Sequence, residues 1–198
     1  MSTFSKIPAD TFKMIQKDAG ILLRNFDPTN PEVTDADIIG ATTGGFQFSA
    51  VPSFVDMGED IDNCPKGTME LMDFDTWDVT ASGTFVSLSS TNMTTLMVST
   101  DIEPVATPDA NGRLVKITPR NSLRVQDFRS LWWVGDRGGT DGNFIALHLT
   151  NAINTGGFNL KTQDNGKGQF SFSYSCHPSI NDQGKVPIEV YVMDPKEE

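Results

Sequence analysis

Two histidines, two cysteines and one acidic cluster are the residues of this chain whose chemistry could serve a reaction or a metal. His148 lies in a strand-like run, Phe144 to Thr150, on the face shared by Phe144 and Ala146. A hydrogen-bonded, buried histidine is expected there rather than a general base. Cys176-His177 offers two soft metal ligands. Adjacent strand residues point to opposite faces, however, and no second close pair exists, so no zinc site is expected. Cys64 and Cys176 stand far apart in sequence, which suits two reduced thiols, with Cys176 in the core, better than a disulfide framework. Asp56, Glu59, Asp60 and Asp62 carry oxygen ligands but lack the fixed spacing and terminal glutamate of a calcium loop. They read as solvated acids on an interaction arm.

The sequence contains no Gly-x-Ser-x-Gly elbow, no His-Glu-x-x-His pair and no phosphate loop ending in Gly-Lys-Ser/Thr. Gly135 to Gly142 is glycine-rich but joins two strands, whereas a phosphate cradle uses a helix N-terminus. A hairpin loop is the expectation. The reading is therefore a protein that is not an enzyme and has no cofactor. A competing reading is a carbohydrate-binding or other ligand-binding β-sandwich module, with Trp77, Trp132 or Trp133 as a stacking platform. Those tryptophans sit in strands beside other apolar residues, whereas an exposed platform usually stands in a loop.

At 198 residues the chain suits a single domain with a full core, spanning 1–198. Lys plus Arg 15 against Asp plus Glu 26 gives a net charge of −11. Such a surface does not bind nucleic acid by neutralising phosphate, although it could surround DNA without adhering to it. Acidity that serves solubility alone is the other reading. Neither a leader-like segment nor an apolar run of spanning length is present, so the expectation is a protein with no membrane partner, made in its producer's cytosol.

Mostly strands must position these residues. Residues 1–19 suit an N-terminal arm or a short helix started by Pro8 and closed at Gly20. Strand-like runs follow at Gly20 to Phe26, Trp77 to Phe85, Leu114 to Thr118, Phe128 to Val134, Phe144 to Thr150, Phe158 to Thr162, Gln169 to Cys176 and Ile188 to Met193. One short helix is expected after Ser90 or Thr91, with Met93, Leu96 and Met97 on its apolar face. Asp164, Asn165 and Gly166, with Gly166 left-handed, form a three-residue hairpin loop that pairs Leu160 with Phe170 and Phe158 with Phe172. That register puts Phe170, Phe172, Tyr174 and Cys176 in the core, and Ser171, Ser173 and Ser175 against water or a neighbouring chain. Leu131-Trp132-Trp133-Val134 must be covered on both faces, by the core on one and by the helix or another subunit on the other.

Between Phe46 and Trp77 lies a long stretch with many apolar side chains and no regular period. Its expected form is a loop over 44–75, hinged at Gly44-Gly45, with Pro52 and Pro65 interrupting any ladder. Phe54, Val55, Met57, Ile61, Met69, Leu71, Met72 and Phe74 are too many apolar residues to leave in water, which makes this an assembly arm.

The runs IQKDAGILL (15–23), IGATTGGF (39–46), EDIDNCPK (59–66), Trp77 to Gly83 and ALHLTNAINTGGF (146–158) together resemble the major tail tube proteins of long-tailed bacteriophages of Gram-positive bacteria. The resemblance covers about residues 12–193 and is one of pattern and order. It implies a β-sandwich or half-barrel of two antiparallel sheets with one flanking short helix and a long hairpin arm. It also implies a structural virion protein, assembled in a bacterial cytoplasm, whose hexameric rings stack into the hollow tail tube that delivers DNA. The implied partners are further copies of the chain, the tape measure protein and the terminator and distal tail proteins. The eight apolar arm residues then make the inter-ring contact. Gln47, Ser49, Asp78, Thr80, Ser82 and Thr84, small or acidic and never basic, form the stripe expected to line the lumen.

Overall fold

The structure is a computed structural model that describes residues 7–8, 11–106, 112–138 and 142–193. Its elements, in chain order, are a one-turn helix α1 (Thr11–Met14), strands β1 (Ile21–Leu23), β2 (Thr42–Asp56) and β3 (Met72–Phe85), and helix α2 (Ser90–Leu96). There follow β4 (Thr100–Val105), β5 (Leu114–Pro119), β6 (Arg129–Asp136), β7 (Phe144–Asn154), β8 (Asn159–Lys161), β9 (Gln169–Cys176) and β10 (Ile188–Val192). The chain is mainly β and antiparallel throughout the ladders described. Part of the 1–19 segment lies outside the described residues. Gln16 bridges to Arg137, so the end of that segment runs beside β6.

The strands form two antiparallel sheets of unequal size: one of eight strands, in the order β1-β6-β7-β9-β3-β2 with β10 beside β7 and β8 beside β9, and a separate β4-β5 ribbon. The large sheet curls. Four strand spacings separate β6 from β2, about 19 Å in a flat sheet, yet the Phe46 ring on β2 stacks on Trp133 of β6 at 5.5 Å. The concave side is lined by the inward-alternating residues of long strands: Val79, Ala81 and Phe85 from β3, Phe172, Tyr174 and Cys176 from β9, Leu131 and Trp133 from β6. A bulge keeps β7 in this core. Asn151 adopts φ 49°, and the buried core positions shift from Leu147 and Leu149 before it to Ala152 after it. Asparagine tolerates this left-handed backbone better than most residues.

Helix α2 closes the concave side through buried Leu96, but Met93 and Met97 are only half-buried while Asn92 and Thr94 are buried. The expected apolar stripe is thus replaced by specific polar contacts. Asn92 donates to the Ile39 carbonyl and accepts from Arg24; Asn154 donates to the Leu96 carbonyl at 2.8 Å; the Thr95 and Tyr174 hydroxyls meet at 3.2 Å. Its N-cap is Ser89, whose hydroxyl accepts from Asn92 N at 3.2 Å, one residue before the expected cap.

Because α2 sits on the concave side, it does not cover the outer face of β6. That face, Trp132 and Val134, is covered by the chain's own Leu23, Phe26, Ile38 and Phe144. Neither the helix nor a second subunit is needed there, because the segment after β1 folds back over it. The β8-β9 register places Leu160 opposite Phe170, as expected, but the left-handed residue of the turn is Asn165, at φ 54°. Gly166 serves by close approach instead, since a Cβ there would lie 2.2 Å from the Gln163 side chain. Phe158 precedes the ladder and packs its ring against Phe170 at 6.0 Å rather than opposing Phe172.

Candidate functional site

The stretch expected as a loop over 44–75 is largely a hairpin. β2 and β3 pair from Thr42–Phe85 to Asp56–Met72, and only 57–71 is irregular apart from a 3-10 turn at Met69–Leu71. Pro52 does not break the ladder: it lies opposite Trp77 on β2, an edge strand, where a missing N–H is tolerated. Gly44 and Gly45, at φ 77° and 87°, mark a register shift within β2. β9 accompanies β3 only from Thr80 to Phe85. Beyond Val79 the two strands therefore continue as a ribbon with no third strand, which is marginal as an isolated structure in water.

The ribbon and its tip carry the expected arm residues, and most of them face solvent. Phe54, Met57, Ile61 and Met69 are 59%, 61%, 52% and 79% exposed, and Val55, Met72 and Phe74 are also exposed. Leu71 alone is half-buried, packed against Gly58, where an added Cβ would lie 2.9 Å from it. Phe54, Phe74 and Trp77 form a row of touching rings, at 5.9 and 5.7 Å between neighbours. The tip is scaffolded by Asp56, whose carboxylate accepts from Gly58 N at 2.9 Å and Gly67 N at 2.8 Å. Those two bonds, Gly67 first, hold its pKa below the ordinary aspartate range.

On the convex side the pairing gathers most of the expected polar stripe. Gln47 faces Ser82, Ser49 faces Thr80, and Thr43 faces Thr84, while Asp78 lies farther out, opposite Val51. β9 widens the stripe by placing Ser171, Ser173 and Ser175 beside Thr84, Ser82 and Thr80. The result is a three-strand face of hydroxyl and amide side chains without a basic group. Alternation had shown the serine row, but not that β9 and β3 are neighbours, which depends on long-range pairing.

A second polar arrangement was only partly foreseen. Trp132 and Glu189 flank His148 on the neighbouring strands β6 and β10. His148 Nδ1 lies 2.9 Å from Glu189 Oε2 and Nε2 lies 2.7 Å from Ser130 Oγ. Its ring is stacked on Trp132 with centroids 4.0 Å apart. Tyr191 donates to the same Glu189 oxygen at 2.8 Å. Hydrogen bonds from His148 and then Tyr191 hold the Glu189 pKa below the usual glutamate range. The order hydroxyl, imidazole, carboxylate is that of an activated serine. Here all three residues lie on neighbouring strands whose backbone donors serve the ladder, and the arrangement fastens β10 to the sheet.

Among the described residues there is no cluster of three His, Cys, Asp or Glu side chains able to hold a metal, and no helix long and apolar enough to cross a membrane. Burial raises the Cys176 thiol to about 12, leaving it protonated and inert. Trp132 and Trp133 are buried, which removes them as stacking platforms, and Trp77 is half-buried beside Phe74. No known protein-family model matches the chain, and no curated protein matches it either.

Proposed function

We propose that the chain is a structural subunit that closes into hexameric rings, which stack into a hollow tube able to pass DNA, as in the phage tail tubes its sequence resembles. The observation that carries this reading is the projecting two-stranded arm, with Phe54, Met57, Ile61 and Met69 all more than half exposed. So many large apolar side chains on one projecting element mark an association surface. A head-to-tail contact that does not close on itself builds a stack. The polar convex face supports the passage role, because small hydroxyl side chains offer phosphate no cation to hold.

Electron microscopy with mass photometry of the purified protein tests this. Rings or tubes are expected. A species that stays at the 21.6 kDa monomer mass across a wide concentration range, in low and moderate salt, would overturn it.

A further inference from the structure

We propose that the arm tip of one subunit docks, through Asp60-Ile61-Asp62, into a cavity between α2 and the start of β6 on the next subunit of a stack. This rests on the stacking reading and names its contact. The cavity measures about 400 Å³, and its lining includes Arg24 and Arg129 with Ile39, Phe128 and Leu131. Among the described residues neither guanidinium has a carboxylate at ion-pair distance. Arg24 donates to the Asn92 side chain and acts on Asp37 only at longer range, while Arg129 is exposed. Two such cations at one cavity, in a chain of net charge −11, call for an acid from elsewhere.

The arm tip supplies one. Residues 57–71 hold Glu59, Asp60, Asp62 and Glu70 against the single cation Lys66, which lies 3.8 Å from Glu59. Asp60 and Asp62 are left without an ion-pair partner among the described residues, and exposed Ile61 stands between them. An acid-apolar-acid tip thus matches a cavity whose arginines flank apolar side chains.

Register explains why the partner is another copy. Thr80 lies opposite Ser175, and Ser175 opposite Ile153, so β3 runs parallel to β7 and its arm heads toward the Phe144 end. Arg129 pairs with Ala152 at the other end of β6 from Asp136, which pairs with Phe144. From Val79 to Met72 the arm extends about 23 Å away from that level before the tip begins. A subunit therefore carries its own tip away from its own cavity, while a head-to-tail neighbour brings the two together.

The test uses full-length protein with charge reversals on either side: R129E, R24E/R129E, D60K/D62K, and D60K/D62K combined with R129E. Sedimentation and electron microscopy read the concentration at which tubes form. Reversal on one side is expected to raise that concentration about tenfold, with rings unaffected, and the combined variant is expected to recover toward wild type. Arg129 is exposed, so R129E carries the test even where R24E disturbs the Asn92 contact. Tubes that form equally well in R129E and D60K/D62K, or an absence of recovery in the combination, would overturn the docking contact alone. A wild-type protein that never forms rings or tubes would overturn the stacking reading and this contact with it.

Discussion

His148 is held on three sides, by Ser130, by Glu189 and by the Trp132 ring, and the acid among these partners makes the clamp pH-sensitive. Because the folded-state pKa of Glu189 is depressed, its contribution is present above the ordinary value of about 4.5 and is lost as pH falls through the lower folded value. Denaturant titrations below pH 4.5 should therefore show wild type losing stability more steeply than Glu189→Gln; parallel curves would mean that the pairing adds nothing. Glu189 is half-exposed, so the difference should be small. Gly20 is a sharper case. It sits at φ 69° with the Trp133 indole 2.5 Å from where a Cβ would stand, and Trp133 donates to the Ala19 carbonyl at 3.0 Å. Gly20→Ala should cost at least about 1–2 kcal/mol from the left-handed backbone alone, read as a lowered denaturation midpoint. The sequence placed His148 on a strand face with Phe144 and Ala146, as found, but its partners come from strands 18 and 41 residues away. No local pattern encodes such pairings.

The β8-β9 hairpin and the β2-β3 arm show which elements are legible and which are not. Strong period-two alternation located β9 and the inner half of β3, and uniting apolar faces selected the β8-β9 register, because a slip of one residue would pair Leu160 with Ser171 and set an apolar side chain in the serine row. Phe172→Ala should accordingly cost about 3–5 kcal/mol, whereas Ser171→Ala should stay within about 0.5 kcal/mol in chemical denaturation of the subunit. The outer half of the arm was illegible for the converse reason. Away from the core, Val51–Asp56 and Met72–Thr76 have little burial pattern to display, and it is backbone pairing that makes them strands. β4 was missed likewise: Asp101, Glu103 and Pro104 mask a strand defined by pairing with β5. Replacing 53–76 by an Asn-Gly turn between Pro52 and Trp77 should leave a folded domain that cannot form tubes, as judged by circular dichroism and microscopy. Normal tubes from that variant would show the arm to be dispensable.

In the whole molecule, curling divides the sheet into an apolar concave side sealed by α2 and a convex side that is apolar at β6, where Phe26 and Ile38 cover it, and polar across β2, β3 and β9. A wall that lets DNA slide must avoid cations, since each lysine or arginine on phosphate releases counterions and adds affinity. The face formed by Gln47, Ser49, Thr80, Ser82 and Thr84 with Ser171, Ser173 and Ser175 satisfies this with hydroxyls and an amide, and Asp78 adds a negative charge along the arm. Asp78 is exposed and Gln47 is exposed on the edge strand, so neither position is tied to the core. Gln47→Lys and Asp78→Lys together should therefore leave assembly unchanged while giving the tube a lining that holds DNA. Retention of double-stranded DNA by purified tubes should rise at low salt and weaken steeply as salt increases, by a slope of about 0.9 per phosphate contacted. Wild-type tubes should retain none. If the doubly substituted tubes assemble and still hold no DNA at low salt, the polar convex face lies outside the lumen, and the wall must be sought on another surface of the sheet.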